Sequence, residues 1–430
     1  MTLQEKDKKY IWHPFTSLET DEEPILIESA EGVYLHTADG RKIIDAISSW
    51  WVNLHGHSHP VIAKAIADQA AKLEHVIFAG FTHQPAITLA ENLLSILPKN
   101  QSKIFFSDDG STAVEVGLKL ALQYWHNQGI ETKNKIISFE GAYHGDTFGS
   151  MSLGARDSFN IAFEKYLFGV DFVDFPTKEN EQKVITDFKN LVEQGNVGAF
   201  IFEPLVQGAA GMRMYSPEIL DQLISIAQQN NVICLADEVF TGFGRTGKLF
   251  ASDYLKNKPD ILAISKGITG GSLPLGVTSC SKKIESVFQS SEASKTFYHG
   301  HSYTANPIAC AAANASFSLL VSDQCGQNRK RIATNLEAFK IKMTGHPAIK
   351  EIRSLGTILA IELLTPESTS YTNPLRKKIY SHFISKGILI RPLGNVFYLL
   401  PTYIISDDEL SSIFHEIKTL LDSLLTHIIG

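Results

Sequence analysis

The chain has 430 residues, of which 44% are hydrophobic and 20% charged, a composition typical of a folded globular protein with two or three domains. Its formal net charge is −7 and it has no basic stripe, which argues against a nucleic-acid-binding protein. No apolar run approaches the roughly 20 residues that a membrane-spanning helix needs, so we expect no membrane segment.

The cysteines and the first residues indicate a reduced, cytoplasmic protein. Four cysteines are scattered without CxxC spacing, so we expect neither a disulfide framework nor a cysteine-bound zinc ion. The segment Met1–Lys6 contains an acidic residue and no apolar run. We therefore expect no signal peptide and a cytoplasmic location.

A β-hairpin and then an alternation of helices and strands are the first structural patterns. Residues 31–45 contain two strand-like runs around an Asp-Gly turn. Helices are then predicted at 60–73 and 86–97, and short apolar strands at 104–107, 136–139, 199–202, 232–236 and 261–264. This alternation is typical of βαβ units, so we predict an α/β fold with a mostly parallel sheet covered by helices on both faces.

Three alternating histidines, His55, His57 and His59, lie between the hairpin and the first helix. On an extended segment they could share one face as metal ligands. No carboxylate pair accompanies them, and the Gly, Ser and Pro residues among them favour a turn. We therefore predict no metal site here, nor at His299 and His301.

The pattern changes from about residue 308 to an α+β segment. It predicts a long helix at 328–343, strands at 358–363, 388–391 and 396–400, and a last helix with one apolar, core-packing face. We predict that the two chain ends join into one small domain beside a large one. The predicted boundaries are 1–58 and 311–430 for the small domain and 59–310 for the large domain.

An aspartate and a lysine follow two of the predicted strands. Asp237 comes directly after the run 232–236, and Lys266 follows the run 261–265. Ligands of open α/β sheets bind at the carboxyl ends of the strands, so we expect both side chains to face one crevice. The pair suits pyridoxal phosphate, because the lysine can form a Schiff base and the aspartate can keep the pyridine nitrogen protonated.

A phosphate cradle is predicted after the strand at 104–107. Gly110 and Ser111, with Thr112 as a further candidate, begin a helix whose free amides attract an anion. The alternative is a plain capping box formed by Thr112 and Glu115. The phosphate interpretation depends on the aspartate and lysine described above.

Other candidate residues follow two further strands. Tyr143 could stack on a planar cofactor, and His144 and Asp146 could order it. Glu203 could hydrogen-bond near the ring, although an isolated Tyr-His-Gly is more often a turn and a strand-terminal glutamate is more often solvated. The chain has no GxSxG elbow that would indicate a Ser-His-Asp hydrolase.

Together these motifs resemble the class III, or ω-type, aminotransferases of fold type I, and the resemblance covers nearly the whole chain. The motifs are Tyr143-His144-Gly145, Asp237-Glu238-Val239, Gly242-Phe243-Gly244-Arg245-Thr246-Gly247 and Ser265-Lys266-Gly267. Further segments are similar to the branch of that family that converts 8-amino-7-oxononanoate to 7,8-diaminononanoate in biotin biosynthesis. These are Trp12-His13-Pro14-Phe15-Thr16, Ser48-Ser49-Trp50-Trp51, Gln207-Gly208-Ala209 and the run from Gly300 to Pro307.

The resemblance implies a homodimer that binds pyridoxal phosphate in shared active sites. Lys266 would be the Schiff-base lysine and proton carrier, and Asp237 the partner of the pyridine nitrogen. Tyr143 would stack on the ring and touch the substrate. Gly110 and Ser111 would bind the phosphate.

The resemblance also implies contacts from the neighbouring subunit and to the substrates. Ser302, with Gly300 and His301 beside it, would bind the phosphate of the partner's cofactor. The substrate residues that it implies are Trp50 for the alkyl chain of 8-amino-7-oxononanoate, Arg391 for its carboxylate, Arg245 for the donor side, and Trp51, Asp146 and Gly300.

The amino donor is left open between two compounds. The best-known members that use S-adenosylmethionine have Tyr where this chain has Phe15, and some lysine-using members have Phe there. The Trp50-Trp51 pair and the Trp-His-Pro start favour S-adenosylmethionine. The alternatives to this function are another ω-aminotransferase acting on a diamine or ω-amino acid, a decarboxylase or aminomutase of the same fold, and a non-enzymatic anion-binding protein.

Overall fold

The computed structural model describes residues 1–19, 23–156, 159–367 and 369–428. The strands are β1 (Ile27–Glu31), β2 (Tyr34–Thr37), β3 (Lys42–Asp45), β4 (Gln101–Ser107), β5 (Lys135–Phe139), β6 (Asp171–Val173), β7 (Val197–Phe202), β8 (Val206–Gln207), β9 (Arg213–Met214), β10 (Ile233–Asp237), β11 (Ile261–Ile264), β12 (Gly276–Ser281), β13 (Ile349–Leu355), β14 (Ile358–Leu363), β15 (Ile388–Leu389) and β16 (Val396–Leu399).

The helices surround these strands. They are α1 (Leu3–Tyr10), α2 (Ser48–Trp51), α3 (Pro60–Lys72), α4 (Gln84–Ile96), α5 (Gly110–Asn127), α6 (Phe148–Leu153), α7 (Glu181–Val192), α8 (Pro217–Gln229), α9 (Lys282–Ser286), α10 (Pro307–Leu320), α11 (Asp323–Met343), α12 (Leu375–Ser385) and α13 (Asp407–Ile428). None of the helices in the described residues is long and apolar enough to cross a membrane.

The central sheet has seven strands in the order β4-β12-β11-β10-β7-β5-β6. The pairs β11-β10, β10-β7, β7-β5 and β5-β6 are parallel, and β12 is antiparallel to both of its neighbours. Successive residues of β10 enter opposite cores, because Ile233 and Leu235 pack in one hydrophobic cluster and Cys234 and Ala236 in the other. The prediction of an α/β fold with a mostly parallel, doubly covered sheet is confirmed.

The sequence pattern missed strand β12. Its residues, Gly276–Ser281, are all buried but include three hydroxyl side chains, so the run lacks the apolar signal of a core strand. Two of the hydroxyls have partners inside the protein: Thr278 Oγ1 donates to the Ala113 carbonyl at 2.7 Å and Ser279 Oγ to Gln101 Oε1 at 2.8 Å. Burial is tolerated here because these polar groups are hydrogen-bonded.

The two ends of the chain meet in a second sheet with the order β1-β2-β3-β15. Strand β15, from the C-terminal segment, pairs in parallel with β3 of the N-terminal hairpin. Strands β13, β14 and β16 form a separate antiparallel sheet, and α13 buries the predicted apolar face through Leu410, Ile413, Ile417, Leu420 and Leu421. The domain boundaries at residues 58 and 310 stay a prediction.

Candidate active site

A cavity of about 420 Å³ lies at the carboxyl ends of the central strands. It is lined by residues at or after the ends of β4, β5, β7, β10 and β11 and by the start of α5. The sequence-predicted residues in its lining are Trp51, Gly110, Ser111, Tyr143, His144, Glu203, Asp237 and Lys266. The structure therefore brings together side chains that are separated by more than 200 positions in the sequence.

Asp237 is the last residue of β10 and its carboxylate is almost fully buried. Oδ2 lies 2.7 Å from His144 Nδ1, and Oδ1 accepts the Val239 amide at 3.1 Å. The other ring nitrogen of His144, Nε2, is buried without a hydrogen-bond partner in the described residues. An ionised carboxylate held in this way can stabilise a positive charge on a ligand ring nitrogen in the cavity.

Lys266 begins the segment after β11 with a φ of 43°, in the left-handed region that L-residues avoid. Burial lowers the pKa of its amine, and the charges of Asp237, Glu203 and Asp109 oppose that effect. A lowered pKa increases the neutral, nucleophilic fraction of the amine at neutral pH. The Nζ atom lies 5.0 Å from the centroid of the Trp51 ring, so the amine has an aromatic wall on one side.

The start of α5 has a different cap from the one that the sequence suggested. Asp109, not Thr112, is the N-cap: Asp109 Oδ1 accepts the Thr112 amide at 2.7 Å, and Thr112 Oγ1 accepts the Asp109 amide at 3.0 Å. The Thr112–Glu115 capping box is therefore wrong, and the Thr112 amide is not free for a ligand. Glu115 instead accepts the Ser150 amide at 3.1 Å.

The shifted cap leaves the first two amides of α5 free. Gly110 and Ser111 line the cavity, and their amides have no acceptor within the described chain. A Cβ atom at Gly110 would lie only 2.7 Å from Val239 Cγ1, so the helix start can approach the Val239 side chain, just after β10, this closely only with glycine. Free amides at the start of an 18-residue helix fit the phosphate of the predicted cofactor.

Glu203 joins two loops that border the cavity. Its Oε1 accepts the Tyr143 amide at 3.1 Å and its Oε2 accepts the Gly208 amide at 2.9 Å. Burial raises the pKa of Glu203 to about 7. Burial, followed by the charge of Asp146 and a hydrogen bond with it, also raises the pKa of the Tyr143 phenol, so Tyr143 is a neutral donor at physiological pH. Asp146 does not line the cavity, but its amide donates to Ser111 Oγ at 3.2 Å.

A second group of predicted substrate residues lies together outside the cavity lining. The Arg391 guanidinium carbon is 4.3 Å from the centroid of the Trp50 ring, and the Phe15 ring is 5.5 Å from that of Trp50. Trp50 and Phe15 are 37% and 43% exposed. In the described residues the Arg391 guanidinium has no hydrogen bond or ion pair. Its planar set of N–H groups can therefore donate to the carboxylate of a ligand.

The two tryptophans are presented by an unusual turn. Helix α2 is left-handed: the φ angles of Ser48, Ser49, Trp50 and Trp51 are 52°, 43°, 68° and 77°. Backbone hydrogen bonds still close it, from Trp51 N to the Ile47 carbonyl and from Val52 N to the Ser48 carbonyl, both at 2.9 Å. Each L-residue in this conformation costs about 1–2 kcal/mol, so the surrounding contacts must hold the turn in place.

Arg245 does not line the cavity. The resemblance had implied that it contacts the amino donor. Its side chain is fully buried, and its Nη atoms donate to the carbonyls of Pro401 at 3.0 Å, Trp51 at 3.2 Å and Asn53 at 3.3 Å. Burial lowers the pKa of this guanidinium. The geometry is that of a residue that joins loops around the turn.

The segment predicted to act across subunits also lies outside the cavity lining. Gly300 and Ser302 are exposed, and His301 Nε2 is 3.9 Å from Asp108 Oδ1, which belongs to a residue that lines the cavity. The segment thus stands at the rim, beside the phosphate cradle, with its serine open to solvent in this single chain.

The alternating histidines have separate partners. His57 Nε2 lies 2.9 Å from Asp45 Oδ2, and His55 Nε2 lies 3.2 Å from Ser316 Oγ. Burial lowers the pKa of His55 to about 3. Within the described ranges, no group of three or more His, Cys, Asp or Glu side chains converges on a common point.

Some residues that line the cavity were not among the predicted site residues. They are Ala209, Val239, Phe240 and the segment from Gly271 to Leu275. Ala209 and Val239 belong to the quoted Gln-Gly-Ala and Asp-Glu-Val motifs, and the Gly271–Leu275 segment begins with the second residue of a Gly-Gly pair in which both residues have a positive φ. The glycines that follow Lys266 could have indicated a loop near the cavity. The path of that loop, however, is set by β12, which begins directly after it.

Comparison with known proteins gives one consistent result. Residues 16–421 match the family described as aminotransferase class-III. A protein of Synechococcus elongatus, named adenosylmethionine-8-amino-7-oxononanoate aminotransferase, is 47% identical over 96% of this chain and 99% of its own length. A Staphylococcus aureus protein with the same name is 35% identical over 98% of both chains.

Solved structures agree with this match. A crystal structure of the Methanocaldococcus jannaschii adenosylmethionine-8-amino-7-oxononanoate aminotransferase superposes with a TM-score of 0.93 at 35% identity, covering 98% of both chains. The ω-transaminase of Pseudomonas jessenii in complex with PMP has the same TM-score at 26% identity, also covering 98% of both chains.

Proposed function

This chain belongs to the class III aminotransferases, pyridoxal-phosphate-dependent enzymes, and we propose that it converts 8-amino-7-oxononanoate to 7,8-diaminononanoate in biotin biosynthesis. The observation that carries the proposal is 47% identity, over nearly the full length, to a protein named for this reaction. The Arg391 guanidinium supports it, because it lies on the Trp50 ring without a hydrogen bond or ion pair to the described residues, and the substrate has a carboxylate at the end of an alkyl chain.

The residues of the cavity fit the cofactor. When bound, pyridoxal phosphate supplies an electron-accepting ring and a carbonyl carbon that takes up and gives back an amino group. Gly110 and Ser111 would hold its phosphate through their free amides, and Asp237 would hold a proton on the ring nitrogen. The Nζ of Lys266, whose pKa is lowered by burial, would attach the cofactor at rest and then move a proton to and from the substrate carbon that bears nitrogen.

For the donor, we favour S-adenosylmethionine, which stands in the names of the relatives from Synechococcus elongatus and Staphylococcus aureus. Phe15 lacks the tyrosine hydroxyl, but its ring lies against Trp50, so it can pack against a donor without hydrogen-bonding to it. Lysine is the rival donor.

Single-turnover mixing of the yellow enzyme with each amine tests the function and the donor together. We expect S-adenosylmethionine to bleach the visible absorbance, lysine to leave it, and added 8-amino-7-oxononanoate to restore it with formation of diaminononanoate by mass spectrometry. Phe15→Tyr should keep this donor choice and change efficiency by about tenfold, the scale of one hydrogen bond. Bleaching by lysine and not by S-adenosylmethionine would identify lysine as the amino donor. Failure of the ketone to restore absorbance would point to another ω-aminotransferase, and release of CO₂ to a decarboxylase.

Arg391→Ala should weaken use of the natural ketone because it leaves the substrate carboxylate without its partner. We expect kcat/KM to fall by about 30-fold or more, corresponding to roughly 2–5 kcal/mol for one member of a charged pair. A ketone of equal length without the carboxylate is the control and should lose far less. Equal losses for both ketones would mean that Arg391 supports the fold instead.

We further propose a cytoplasmic homodimer. Four exposed apolar side chains lie on two segments that touch each other: Ile77 and Phe81 on one, Tyr298 and Tyr303 on the other, each more than half exposed. The His75 and Tyr303 rings are 5.4 Å apart, which places the segments side by side. Exposed apolar side chains on adjoining segments are typical of an interface, and Ser302 is the residue before Tyr303.

Subunit mixing tests the shared site. An inactive Lys266→Ala protein combined with an inactive Ser302→Asp protein should regain activity, because each hybrid dimer then contains one intact site. The matched control combines Lys266→Ala with Asp237→Asn, two changes on the same side of each site, and should regain none. Hybrids of the first pair that form but stay inactive would argue for self-contained subunits.

A further inference from the structure

The buried carboxylate of Asp45 forms hydrogen bonds with the left-handed turn Ser48–Trp51 and with the residue before it. Asp45 is the last residue of β3 and its side chain is completely buried. Its Oδ1 accepts the Ile47 amide at 3.2 Å, and its Oδ2 accepts the Ser49 hydroxyl at 2.7 Å. One carboxylate thus holds both the residue before the turn and a residue inside it.

A third donor completes the set around Asp45. Asn53 Nδ2 donates to His57 Nδ1 at 3.1 Å, which leaves the His57 proton on Nε2, and that nitrogen lies 2.9 Å from Asp45 Oδ2. Three donors therefore converge on two carboxylate oxygens. An asparagine would have the same shape but only one accepting oxygen, and its amide group would face donors.

The ends of the turn are fixed by other contacts. Ser48 Oγ donates to the Leu400 carbonyl at 2.7 Å, Trp51 Nε1 donates to Tyr398 Oη at 2.8 Å, and Arg245 donates to the Trp51 carbonyl at 3.2 Å. Of the two central residues, the Ser49 hydroxyl has Asp45 as its one hydrogen-bond partner among the described residues, and the Trp50 side chain is 37% exposed. In the middle of the turn Asp45 therefore holds the backbone through Ser49, while the Trp50 ring packs against Arg391 and Phe15.

The turn sets the positions of two rings with different surroundings. The Trp50 ring lies against Arg391, at 4.3 Å, and the Trp51 ring lies beside the Lys266 amine, at 5.0 Å. A change in the backbone at Ser49 would move both rings relative to these charged groups. Four consecutive L-residues keep the left-handed conformation only where surrounding contacts enforce it.

We propose that Asp45 is a positioning residue for substrate recognition, which holds the Ser48–Trp51 turn and thereby places Trp50 against Arg391 and Trp51 against Lys266. The role in recognising 8-amino-7-oxononanoate rests on the function proposed above. The placement of the Trp50 and Trp51 rings by Asp45 is independent of that function.

Fluorine NMR of the cofactor-loaded protein labelled with 5-fluorotryptophan tests the placement directly. The chain has four tryptophans, and Trp→Phe variants assign the signals. We expect Asp45→Asn to broaden or split the signals of Trp50 and Trp51 and to leave Trp125, whose Nε1 donates to the Gly198 carbonyl in the large core, unchanged. Unchanged Trp50 and Trp51 signals, or equal changes in Trp125, would overturn the proposal.

Two milder variants separate the conformation of the turn from the lost hydrogen bond. Ser49→Ala and Ser49→Gly both remove the bond to Asp45, but only glycine is suited to a φ of 43°. We expect the glycine variant to keep single, sharp Trp50 and Trp51 signals and the alanine variant to resemble Asp45→Asn. The reverse order would refute a strained turn.

Kinetics then tests the link to recognition. Asp45→Asn and Ser49→Ala should raise KM for 8-amino-7-oxononanoate by about tenfold, the scale of one hydrogen bond, and change kcat much less. A fall in kcat alone, at constant KM, would assign Asp45 to general stability. If the wild-type protein does not aminate this ketone, the proposed function fails, whereas the NMR comparison still decides the role of Asp45.

Discussion

Replacing Lys266 with alanine is expected to abolish transamination, with a loss of at least about 10⁴-fold, since the variant loses both a nucleophile and a general acid-base group. Lys266 comes two residues after the end of β11, lines the cavity, and has an amine whose pKa is lowered by burial. In the described structure the amine is near the buried carboxylates of Asp237 and Glu203, whose charges act on it.

The measurement is peptide mapping after borohydride reduction of the cofactor-loaded protein. The pyridoxyl label should lie on Lys266 in the wild-type protein. Lys64→Ala is the control, because Lys64 is exposed and forms an ion pair with Asp68 of its own helix, so this variant should keep both label and activity. Label on a different lysine would reject the assignment of Lys266.

Asp237→Asn should lower the rates of both half-reactions by at least about 10²-fold, the scale of removing one well-placed electrostatic contact. The substitution keeps the size of the side chain but removes the charge that would hold a proton on the cofactor ring. It also deprives His144 of a charged partner at 2.7 Å. Cofactor loading can persist, because the phosphate cradle at Gly110 and Ser111 is untouched.

A matched control for Asp237 is Asp260→Asn at the opposite end of the same sheet. Asp260 is also buried, immediately precedes β11, and accepts the Cys234 amide at 3.0 Å. We expect this variant to lower the melting temperature and to leave the half-reaction rates of loaded sites near wild type. Stopped-flow absorbance measures both variants, and near-normal rates for Asp237→Asn would contradict its electronic role.

The sequence by itself determined the fold class and the centre of the site. Apolar β-branched runs mark buried parallel strands, and parallel strands end at one edge of the sheet, so Asp237 and Lys266 must approach each other wherever the rest of the chain goes. The predicted strand at 261–264 coincides with β11, and the helix predicted at 60–73 is found at Pro60–Lys72. Such features depend on local hydrophobic periodicity, which is readable without tertiary contacts.

Long-range polar contacts decided the rest. β12 is buried although half its residues carry hydroxyls, because its partners come from α5 and β4, which the local pattern does not reveal. The N-cap of α5 is Asp109 and not Thr112, which the sequence suggested. Arg245 was predicted to contact the amino donor, but its N–H groups bond to the carbonyls of residues 51, 53 and 401. The partners of an arginine cannot be read from its sequence motif.

The left-handed turn is the clearest case of a tertiary decision. Ser48, Ser49, Trp50 and Trp51 have no glycine among them, so local preference opposes a positive φ at each. The conformation is maintained by Asp45 from the preceding strand and by groups near residues 245 and 400, which are distant in sequence. Sequence identified the two tryptophans as functional candidates, but only the packing of these distant segments placed one ring beside Lys266 and the other against Arg391.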